Sequence, residues 1–208
     1  MELKETIENR ASVRRFTEDI VDTEDLQEMV RMAGKAPSVN NSQPWKFIAV
    51  TNPILIKKMA REVHKKVQDY YPEGSEKALA IKSTVDYFST IFEKAPAVIA
   101  VAARSYDSMS ESLFEDREKA HQQIDEMRFH PDIQSIGAAV QNILLSAVDM
   151  GYGACWLSGL LVARDELQTL LQIEEPWRLA TFVAVGKSEG TSTQTRKNNL
   201  EEIFSLIQ

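Results

Sequence analysis

The feature that most constrains the fold is a long stretch of sequence with almost no charge. Residues 133–163 contain a single formally charged residue, Asp149. Apolar residues recur in its first part at alternating spacings of three and four, which predicts a helix over 132–152 that ends at Gly151 and Gly153. These apolar positions are Ile133, Ile136, Val140, Ile143, Ala147 and Met150. Because such a helix is buried on most sides, we expect it at the centre of the subunit or against a second subunit.

The remaining patterns alternate between strands and helices, without regular βαβ units. Strands are predicted at 46–51, 96–103, 154–157 and 179–185, and the continuous apolar run 96–103 is typical of a strand covered on both faces. Helices are predicted at 2–10, from Thr23 to Gly34, around 55–67, around 81–92 and at 164–171. Their expected inward faces are Leu3 and Ile7; Leu26, Val30 and Ala33; Leu55, Met59, Val63 and Val67; and Ile81, Val85, Phe88 and Phe92. This order predicts a layered α+β domain spanning 1–208, with one sheet covered by helices.

Composition excludes several classes of protein. The chain has 208 residues, 43% of them hydrophobic, and its 31 acidic against 24 basic residues give a net charge of −7. This balance argues against nucleic-acid binding through bulk charge. No run of about 20 apolar residues predicts a membrane span, and the first residues lack the apolar region of a signal peptide. The single cysteine, Cys155, excludes an internal disulfide and fits a reducing cytoplasm, so we expect a cytoplasmic protein without membrane or nucleic-acid partners.

The first candidate for chemistry is a basic segment near the N-terminus. Arg10, Ser12, Arg14 and Arg15 place three guanidinium groups and a hydroxyl within six residues of an otherwise acidic chain. Guanidinium groups bind phosphate in bidentate geometry, so the segment indicates an anion site. The alternative is a solvated basic stretch that pairs with surface acids.

The second candidate is a loop over 36–45 that is rich in amides and hydroxyls. Two prolines, Pro37 and Pro44, bracket its uncharged polar side chains. Asn and Gln offer both donors and acceptors, which suits the edge of a neutral heterocycle such as a flavin or pterin. The alternative is a turn whose Asn and Ser residues satisfy backbone groups. Trp45 is expected to pack in the core where the strand begins.

The third candidate is the glycine-containing segment 151–159. Its glycines permit a flat ligand to approach the backbone, although their spacing does not fit a dinucleotide-binding fingerprint. We expect Cys155 to be a small buried residue, since no base is near it in sequence. The histidines, His64, His121 and His130, lack the spacing of metal ligands, so no metal is predicted.

Together, these segments resemble the nitroreductase family of FMN-dependent oxidoreductases. The motifs follow in order along nearly the whole chain: R-x-S-x-R at 10–14, A-P-S-x-x-N-S-Q-P-W-x-F at 36–47, G-A-A-x-Q-N at 137–142, G-x-G-x-C-W-L-x-G at 151–159, and Arg196 shortly before L-E-E-I. The resemblance implies an α+β fold with a central, mainly antiparallel sheet flanked by helices, formed as an intertwined homodimer with FMN at the interface. The tail before Arg196 lacks a proline that is frequent in the family.

The resemblance also implies which residues bind the cofactor. The phosphate and part of the flavin would be held by the N-terminal segment, a late basic pair would reach the phosphate, a loop of the partner subunit would line the ribityl chain and ring, and the segment after the uncharged helix would pass along the isoalloxazine. In that order, the four groups are the N-terminal residues Arg10, Ala11, Ser12 and Arg14; the late pair Arg196 and Lys197; the loop residues Pro37, Ser38, Asn41 and Gln43; and Trp156, Leu157, Ser158 and Gly159 after the helix.

The implied activity is transfer of hydride from NADH or NADPH through flavin N5 to electron-poor acceptors such as nitroaromatics or quinones, by a ping-pong scheme without a catalytic side chain. A backbone N–H at Ser158 would face N5. Three alternatives stay open: a specialised enzyme of the same fold that fragments flavin or removes halogens, a flavin-binding protein without turnover, and a helical interaction module without a cofactor.

Two segments match no fixed family pattern. Residues 107–130 are highly charged with weak apolar periodicity, and we interpret them as a solvated helix or as an insert that forms a substrate lid. As a lid, its acids Glu115, Asp116 and Glu118 would disfavour anionic substrates. Residues 187–208 are predicted to form a polar C-terminal extension that closes with a small amphipathic piece.

Overall fold

A computed structural model describes residues 1–71, 74–194 and 199–208. Its centre is a four-stranded sheet in which every neighbouring pair is antiparallel, in the order β1-β2-β4-β3. The strands are β1 (Trp45–Val50), β2 (Ala97–Ala103), β3 (Gly153–Leu157) and β4 (Arg178–Gly186). Strands β1 and β3 are therefore the two edges of the sheet. One end of the sheet is formed by the first residues of β1 and β4 and the last residues of β2 and β3, which are Trp45, Arg178, Ala103 and Leu157.

Helices cover both faces of this sheet, which confirms the predicted α+β class. The described residues contain α1 (Leu3–Asn9), α2 (Thr23–Ala33), α3 (Pro53–Tyr70), α4 (Glu76–Thr90), α5 (Arg117–Met127), α6 (Pro131–Asp149), α7 (Arg164–Leu171) and α8 (Leu200–Ile203). Short 3-10 turns occur at Val39–Asn41, Ile91–Lys94, Met109–Leu113 and Gly159–Ala163. None of the described helices combines the length and the apolar character needed to cross a bilayer.

The core has two halves, one on each side of the sheet. Alternate residues of a strand point to opposite faces, and β2 is buried along its whole length. Val98 and Ala100 pack towards α3 and α7, whereas Ile99 and Val101 pack towards α2 and α6. The prediction that 96–103 is covered on both faces is therefore confirmed.

Helix α6 is the main element of the second half of the core, as the uncharged stretch predicts. Ile136, Val140 and Ile143 are each 2% exposed or less. The helix ends at Asp149, and Gly151, two residues further on, has a φ of 75°, in the left-handed region that glycine adopts without strain. Gly153, in contrast, is the first residue of β3 and takes no part in ending the helix. Ile133, expected on the inward face, is 50% exposed; it lies in the first turn of the helix and lines a cavity described below.

The predicted inward face of α1 is wrong, and that of α4 is confirmed only for Val85 and Phe92. In α1, Leu3 and Ile7 are exposed, and the buried residue is Thr6. In α4, Ile81 and Phe88 are about half exposed. The residues of α4 that turn inward are Lys82, Val85, Ser89 and, just beyond the helix, Phe92.

The physical reason for the α4 error lies in two polar contacts. Lys82 Nζ donates to the carbonyl oxygens of Gln68 and Tyr71, at 2.7 and 2.9 Å, and so caps the C-terminal end of α3. Ser89 faces Gly159, where a larger residue would not fit, since a Cβ on Gly159 would lie 2.8 Å from Ser89 Oγ. Packing against α3 and the 159–163 turn therefore selects a polar face, and the apolar face of α4 stays uncovered within the subunit.

Candidate functional site

The basic N-terminal segment docks along the free edge of β3. Ser12 and Ala154 form a parallel bridge, and the N–H of Val13 donates to the carbonyl oxygen of Ala154 at 3.0 Å. Gly153 makes this approach feasible, because a Cβ at that position would lie 2.5 Å from Val13 Cγ2. Ala11 and Val13 are buried, so the intervening and following polar residues are turned away from the core.

The other side of the segment is held by the start of the C-terminal extension. Thr17 N–H donates to the carbonyl oxygen of Lys187, and Glu189 N–H donates to that of Arg15, each at 3.0 Å. Further along, the Gln194 side-chain amide donates to the carbonyl oxygen of Arg10. The extension therefore lies against the basic segment. The predicted phosphate contacts Arg196 and Lys197 lie outside the described residues.

Arg10 and Arg14 have guanidinium groups that no acid among the described residues neutralises. Neither residue takes part in an ion pair in the described parts of the chain. Burial raises the pKa of the Cys155 thiol, and the positive charges of Arg14 and Arg10 act against this rise, which places both close to β3. Cys155 itself is a buried free cysteine, as predicted.

Phe88 is a neighbour of this segment that the sequence patterns misplace. Its ring, expected in the core, lies 5.8 Å from the Arg14 guanidinium carbon in cation–π geometry. The only sequence signal was an aromatic pair, Tyr87-Phe88, in a helix whose apolar periodicity was otherwise satisfied by Val85 and Phe92. The exposed apolar face of α4 thus borders the candidate site.

The end of β3 presents a fixed aromatic side chain. Trp156 is 45% exposed, and its Nε1–H donates to Thr181 Oγ1 at 2.7 Å, while the Thr181 hydroxyl donates to the carbonyl oxygen of Leu157 at 2.8 Å. Trp156 is next to Gly137 of α6, where an added Cβ would lie 3.7 Å from its Cη2. Leu157, the last residue of β3, is buried, and Ser158 and Gly159 after it are exposed. The predicted residues 156–159 therefore begin two residues beyond Ala154, where the basic segment meets β3.

The amide-rich loop is built by local hydrogen bonds and unusual backbone angles. Asn40, Asn41 and Gln43 have φ values of 50°, 53° and 46°, in the left-handed region, where non-glycine residues are strained. Ser38 Oγ accepts from the N–H of Gln43 at 3.0 Å, and Ser135 Oγ of α6 accepts from the N–H of Val39 at 3.1 Å.

Pro37, Asn41 and Gln43 are nevertheless exposed, and Ser38 is partly so. Strain that is retained in an exposed polar loop is characteristic of ligand-binding segments. Trp45, directly after the loop, packs against the core, which confirms its expected role.

The structure does not bring the loop and the basic segment together within one subunit. The loop leads into β1, whereas the basic segment lies at β3. These opposite edges are separated by β2 and β4, which corresponds to about 14 Å at a spacing of about 4.8 Å per strand. Within one subunit, the predicted site residues therefore form two separate groups, at the two edges of the sheet.

Residues 107–130 form a charged layer around α5, as the interpretation of a solvated helix predicts. Asp116 Oδ1 accepts from the N–H of Lys119 at 3.0 Å and so caps α5, which assigns a structural role to one of the three acids expected to act on substrates. His121 and His130 pair with Glu111 and Asp125, at 2.6 and 2.5 Å. Hydrogen bonding to Asp125 raises the pKa of His130.

Beneath this layer is a cavity of about 1420 Å³ at the Ala103–Arg178 end of the sheet. One part of its wall brings ligand atoms of Asp125, His130 and Asp132 within 4.8 Å of one another. Sequence spacing missed this grouping because the turn between α5 and α6, with φ near 55° at Phe129 and 53° at His130, folds the three residues together. Such clusters are common without a bound ion.

Comparison with known proteins shows relatives of the same fold. The sequence model of the nitroreductase family matches residues 7–187. A curated protein of Archaeoglobus fulgidus, provisionally named an NADH dehydrogenase/NAD(P)H nitroreductase, is 26% identical over 184 residues, which are 86% of this chain and 82% of that protein.

Two solved structures extend over the whole chain. A BluB-like flavoprotein of Clostridium difficile 630 is 31% identical, with a TM-score of 0.88 and coverage of 100% of both chains. A nitroreductase with bound FMN from Desulfitobacterium hafniense DCB-2 has a TM-score of 0.74 at 20% identity, with coverage of 100% of this chain and 99% of that one. The match of the family model over most of the sequence confirms the resemblance seen in the motifs, and this chain belongs to the nitroreductase family.

Proposed function

We propose that this protein is an FMN-dependent oxidoreductase that passes reducing equivalents from NADH or NADPH to small electron-poor acceptors such as nitroaromatics or quinones. The whole chain, 1–208, would form one FMN-binding domain, with 107–130 as a lid and 187–208 as a C-terminal extension. The observation that carries the proposal is the pair Arg10 and Arg14, which lacks acidic partners in the described residues and is held beside β3.

The phosphate of FMN fits the chemistry of this segment. Guanidinium groups without carboxylate partners are available for bidentate hydrogen bonds to a phosphate, and each such bond contributes about 1.5–3 kcal/mol where water is excluded. Ser12 supplies a hydroxyl between them, on a backbone held by Ala154. Because Gln194 lies against Arg10, the extension approaches the same place, which supports a role for Arg196 and Lys197 at the phosphate.

The flat ring fits the surface formed by the end of β3. Trp156, Leu157, Ser158 and Gly159 would run along it, with the N–H of Ser158 directed at N5. Trp156 cannot turn freely, because Thr181 and Gly137 fix its indole. FMN supplies the acceptance and release of electron pairs, and the chain's own residues bind, orient and polarise it. No side chain is assigned a catalytic role.

A homodimer would unite the two groups of predicted site residues. Pro37, Ser38, Asn41 and Gln43 lie at the β1 edge, so they would reach the flavin bound at the β3 edge of a second subunit. Several large apolar side chains support an interface, because they are exposed in the single chain: Leu79, Ile81, Tyr87 and Phe88 of α4, and Leu200, Ile203, Phe204, Leu206 and Ile207 of the extension. An extension that wraps around the partner would make the dimer intertwined.

The dimer is tested by light scattering during size-exclusion chromatography. We expect the full chain to elute with twice the mass of one chain, and a chain ending at residue 198 to shift towards the monomer and to lose FMN. A full-length protein that is monomeric and still retains FMN would contradict the shared site.

The function is tested by the visible absorption spectrum of the purified protein, followed by anaerobic addition of NADH or NADPH. We expect a flavin spectrum that bleaches with at least one of the two and recovers when a nitroaromatic or a quinone is added. The faster donor identifies the preferred nucleotide. A colourless protein that cannot be reconstituted with FMN would contradict the proposal and favour an interaction module.

A second candidate is a specialised flavin enzyme of the same fold, which fragments flavin or removes halogens. The observation that favours it is the 31% identity with a protein described as a BluB-like flavoprotein. A yellow protein whose flavin is consumed, or whose bleaching is not followed by acceptor turnover, would favour this candidate. Stable flavin without reduction by either nucleotide would favour a flavin-binding protein.

A further inference from the structure

We propose that the cavity beneath α5 is a second ligand site, and that it takes a small zwitterion carrying a carboxylate and an ammonium group. The cavity has a volume of about 1420 Å³, which is ample for a ligand the size of an amino acid. None of the residues assigned above to the FMN site lines it. Ser42 of the amide-rich loop and the α5 residues of the proposed lid do line it, so the proposal rests on the proposed function for its lid. Binding of the probes below is measured without turnover, so a negative result would leave the flavin assignment intact.

One wall of the cavity carries three arginines from the end of the sheet and from α7. Arg104 directly follows β2, Arg178 begins β4, and Arg164 begins α7. Arg104 is supported by cation–π contact with Trp177, with 5.1 Å between the guanidinium carbon and the ring centroid. Arg164 has a buried Nε without a hydrogen-bond partner. None of the three forms an ion pair in the described part of the chain.

The part of the lining that comes from α5 and the start of α6 is mostly acidic. Glu118, Asp125, Glu126 and Asp132 line the cavity there. Of these, Asp125 pairs with His130, and Asp125 Oδ1 is buried without a partner. Burial raises the pKa of Asp132, whose carboxylate accepts only the neighbouring N–H of Ile133 among the hydrogen bonds of the described residues.

Opposite charges thus line one cavity without pairing across it. Arginine and carboxylate groups that do not pair with each other can each bind an opposite charge of a ligand that lies between them. A purely anionic ligand would face the acidic wall, together with Asp107 and Glu175, and a purely cationic ligand would face the arginines. A zwitterion satisfies both walls. Ile133, which is half exposed, adds apolar surface for its remaining atoms.

The test compares three probes that share a phenyl ring and differ only in charge: L-phenylalanine, 3-phenylpropionate and 2-phenylethylamine. Binding is measured by isothermal titration calorimetry with the full-length protein at low salt. We expect L-phenylalanine to bind at least about tenfold more tightly than either singly charged probe, which is the low end of the contribution of one charge-assisted hydrogen bond. Equal binding of the three probes, or no binding of any at millimolar concentration, would overturn the proposal.

Variants of the two walls give a matched second test. Arg178→Gln should reduce the affinity for L-phenylalanine to about that for 2-phenylethylamine, and Asp132→Asn should reduce it to about that for 3-phenylpropionate. Arg61→Gln and Asp69→Asn, on exposed positions of α3 outside the cavity, serve as controls, and both variants should keep the affinity for L-phenylalanine of the unmodified protein. Circular dichroism checks that each variant is folded. Unchanged affinity in both wall variants would place the ligand elsewhere and refute the assignment.

Discussion

Gly153 and Val13 pack so closely that a Cβ on Gly153 would lie 2.5 Å from Val13 Cγ2 and 2.8 Å from Val13 Cβ. Val13 is buried and its N–H is hydrogen-bonded to Ala154, so it cannot move without shifting the whole segment. Gly153→Ala should therefore displace Arg10 and Arg14, at a cost of about 1–3 kcal/mol for the overpacked contact. We expect a lower flavin-to-protein absorbance ratio after purification.

Gly34→Ala is the control for this substitution. At Gly34 an added Cβ would meet backbone atoms only at 3.5 Å or beyond, and the backbone is already in the right-handed helical region. We expect this variant to keep its flavin. If Gly153→Ala retains as much FMN as Gly34→Ala, the basic segment does not position the cofactor.

Arg14 and Arg15 offer a matched pair of neighbouring cations. Both are exposed, but only Arg14 is assigned to the FMN site and lies over Phe88. Arg14→Ala should weaken FMN binding by one or two charge-assisted hydrogen bonds, about 1.5–3 kcal/mol each, which corresponds to about tenfold or more in Kd. Arg15→Ala should leave the Kd within a factor of about three. Fluorescence titration of the apoprotein with FMN measures both, and equal losses would indicate only a general effect of net charge.

The insert provides a test of acceptor specificity. Glu115 and Glu118 remain available to act on substrate charge, whereas Asp116 caps α5. Replacing both glutamates by Gln should lower KM for anionic quinones relative to neutral ones, because two negative charges are removed from the proposed lid. Steady-state kinetics with a charged and a neutral acceptor measure the ratio. A ratio that does not change would contradict the lid.

Much of the fold could be predicted because periodicity and burial agree in most elements. In α3, the four-residue repeat of Met59, Val63 and Val67 is the buried face, and the uncharged α6 is central. In α4, by contrast, the inward face is defined by a lysine that caps another helix and by a serine beside Gly159. Both contacts join residues distant in sequence, so no local pattern encodes them.

For the candidate site, too, local patterns could be predicted from the sequence and long-range relationships could not. Short motifs predicted the site residues of the 10–14 and 156–159 segments, and the structure places the first beside β3 and the second at its end. The sequence could not show that the loop around Asn41 lies at the opposite edge, because strand order depends on long-range pairing. The cavity under α5 was missed for a similar reason, since Arg104, Arg164 and Arg178 come from three separate elements.

Lys82 tests the polar contact that misled the prediction for α4. Its ammonium group bonds to two carbonyl oxygens at the end of α3, so Lys82→Met would leave both without this donor. We expect the free energy of unfolding to fall by about 1.5–3 kcal/mol, as for loss of a hydrogen bond to a charged group. Urea unfolding at equal protein concentration measures the change. Lys77→Met, at an exposed position of the same helix, should leave the free energy of unfolding unchanged. Equal losses of stability in both variants would show that the two carbonyl contacts of Lys82 are not the cause.

The pairing of His130 with Asp125 predicts a pH dependence at the junction of α5 and α6. The hydrogen bond from His130 raises its pKa above the unfolded value of about 6.5. A raised folded pKa means that the stabilisation is fully present below the unfolded pKa and is lost as pH rises through the folded pKa. The raised pKa of Asp132 likewise makes the free energy of unfolding fall as pH rises, but over an acidic range that begins near its unfolded pKa.

We therefore expect the junction to loosen as pH rises from about 6 to above the folded pKa of His130. NMR titration of the His130 ring should give a pKa above that of an unfolded peptide, and Asp125→Asn should return it towards that value. Thermal unfolding should show a higher midpoint at pH 6 than at pH 8.5, and His130→Gln should reduce that difference. A normal titration of His130 in the unmodified protein would show that the pair does not persist in solution.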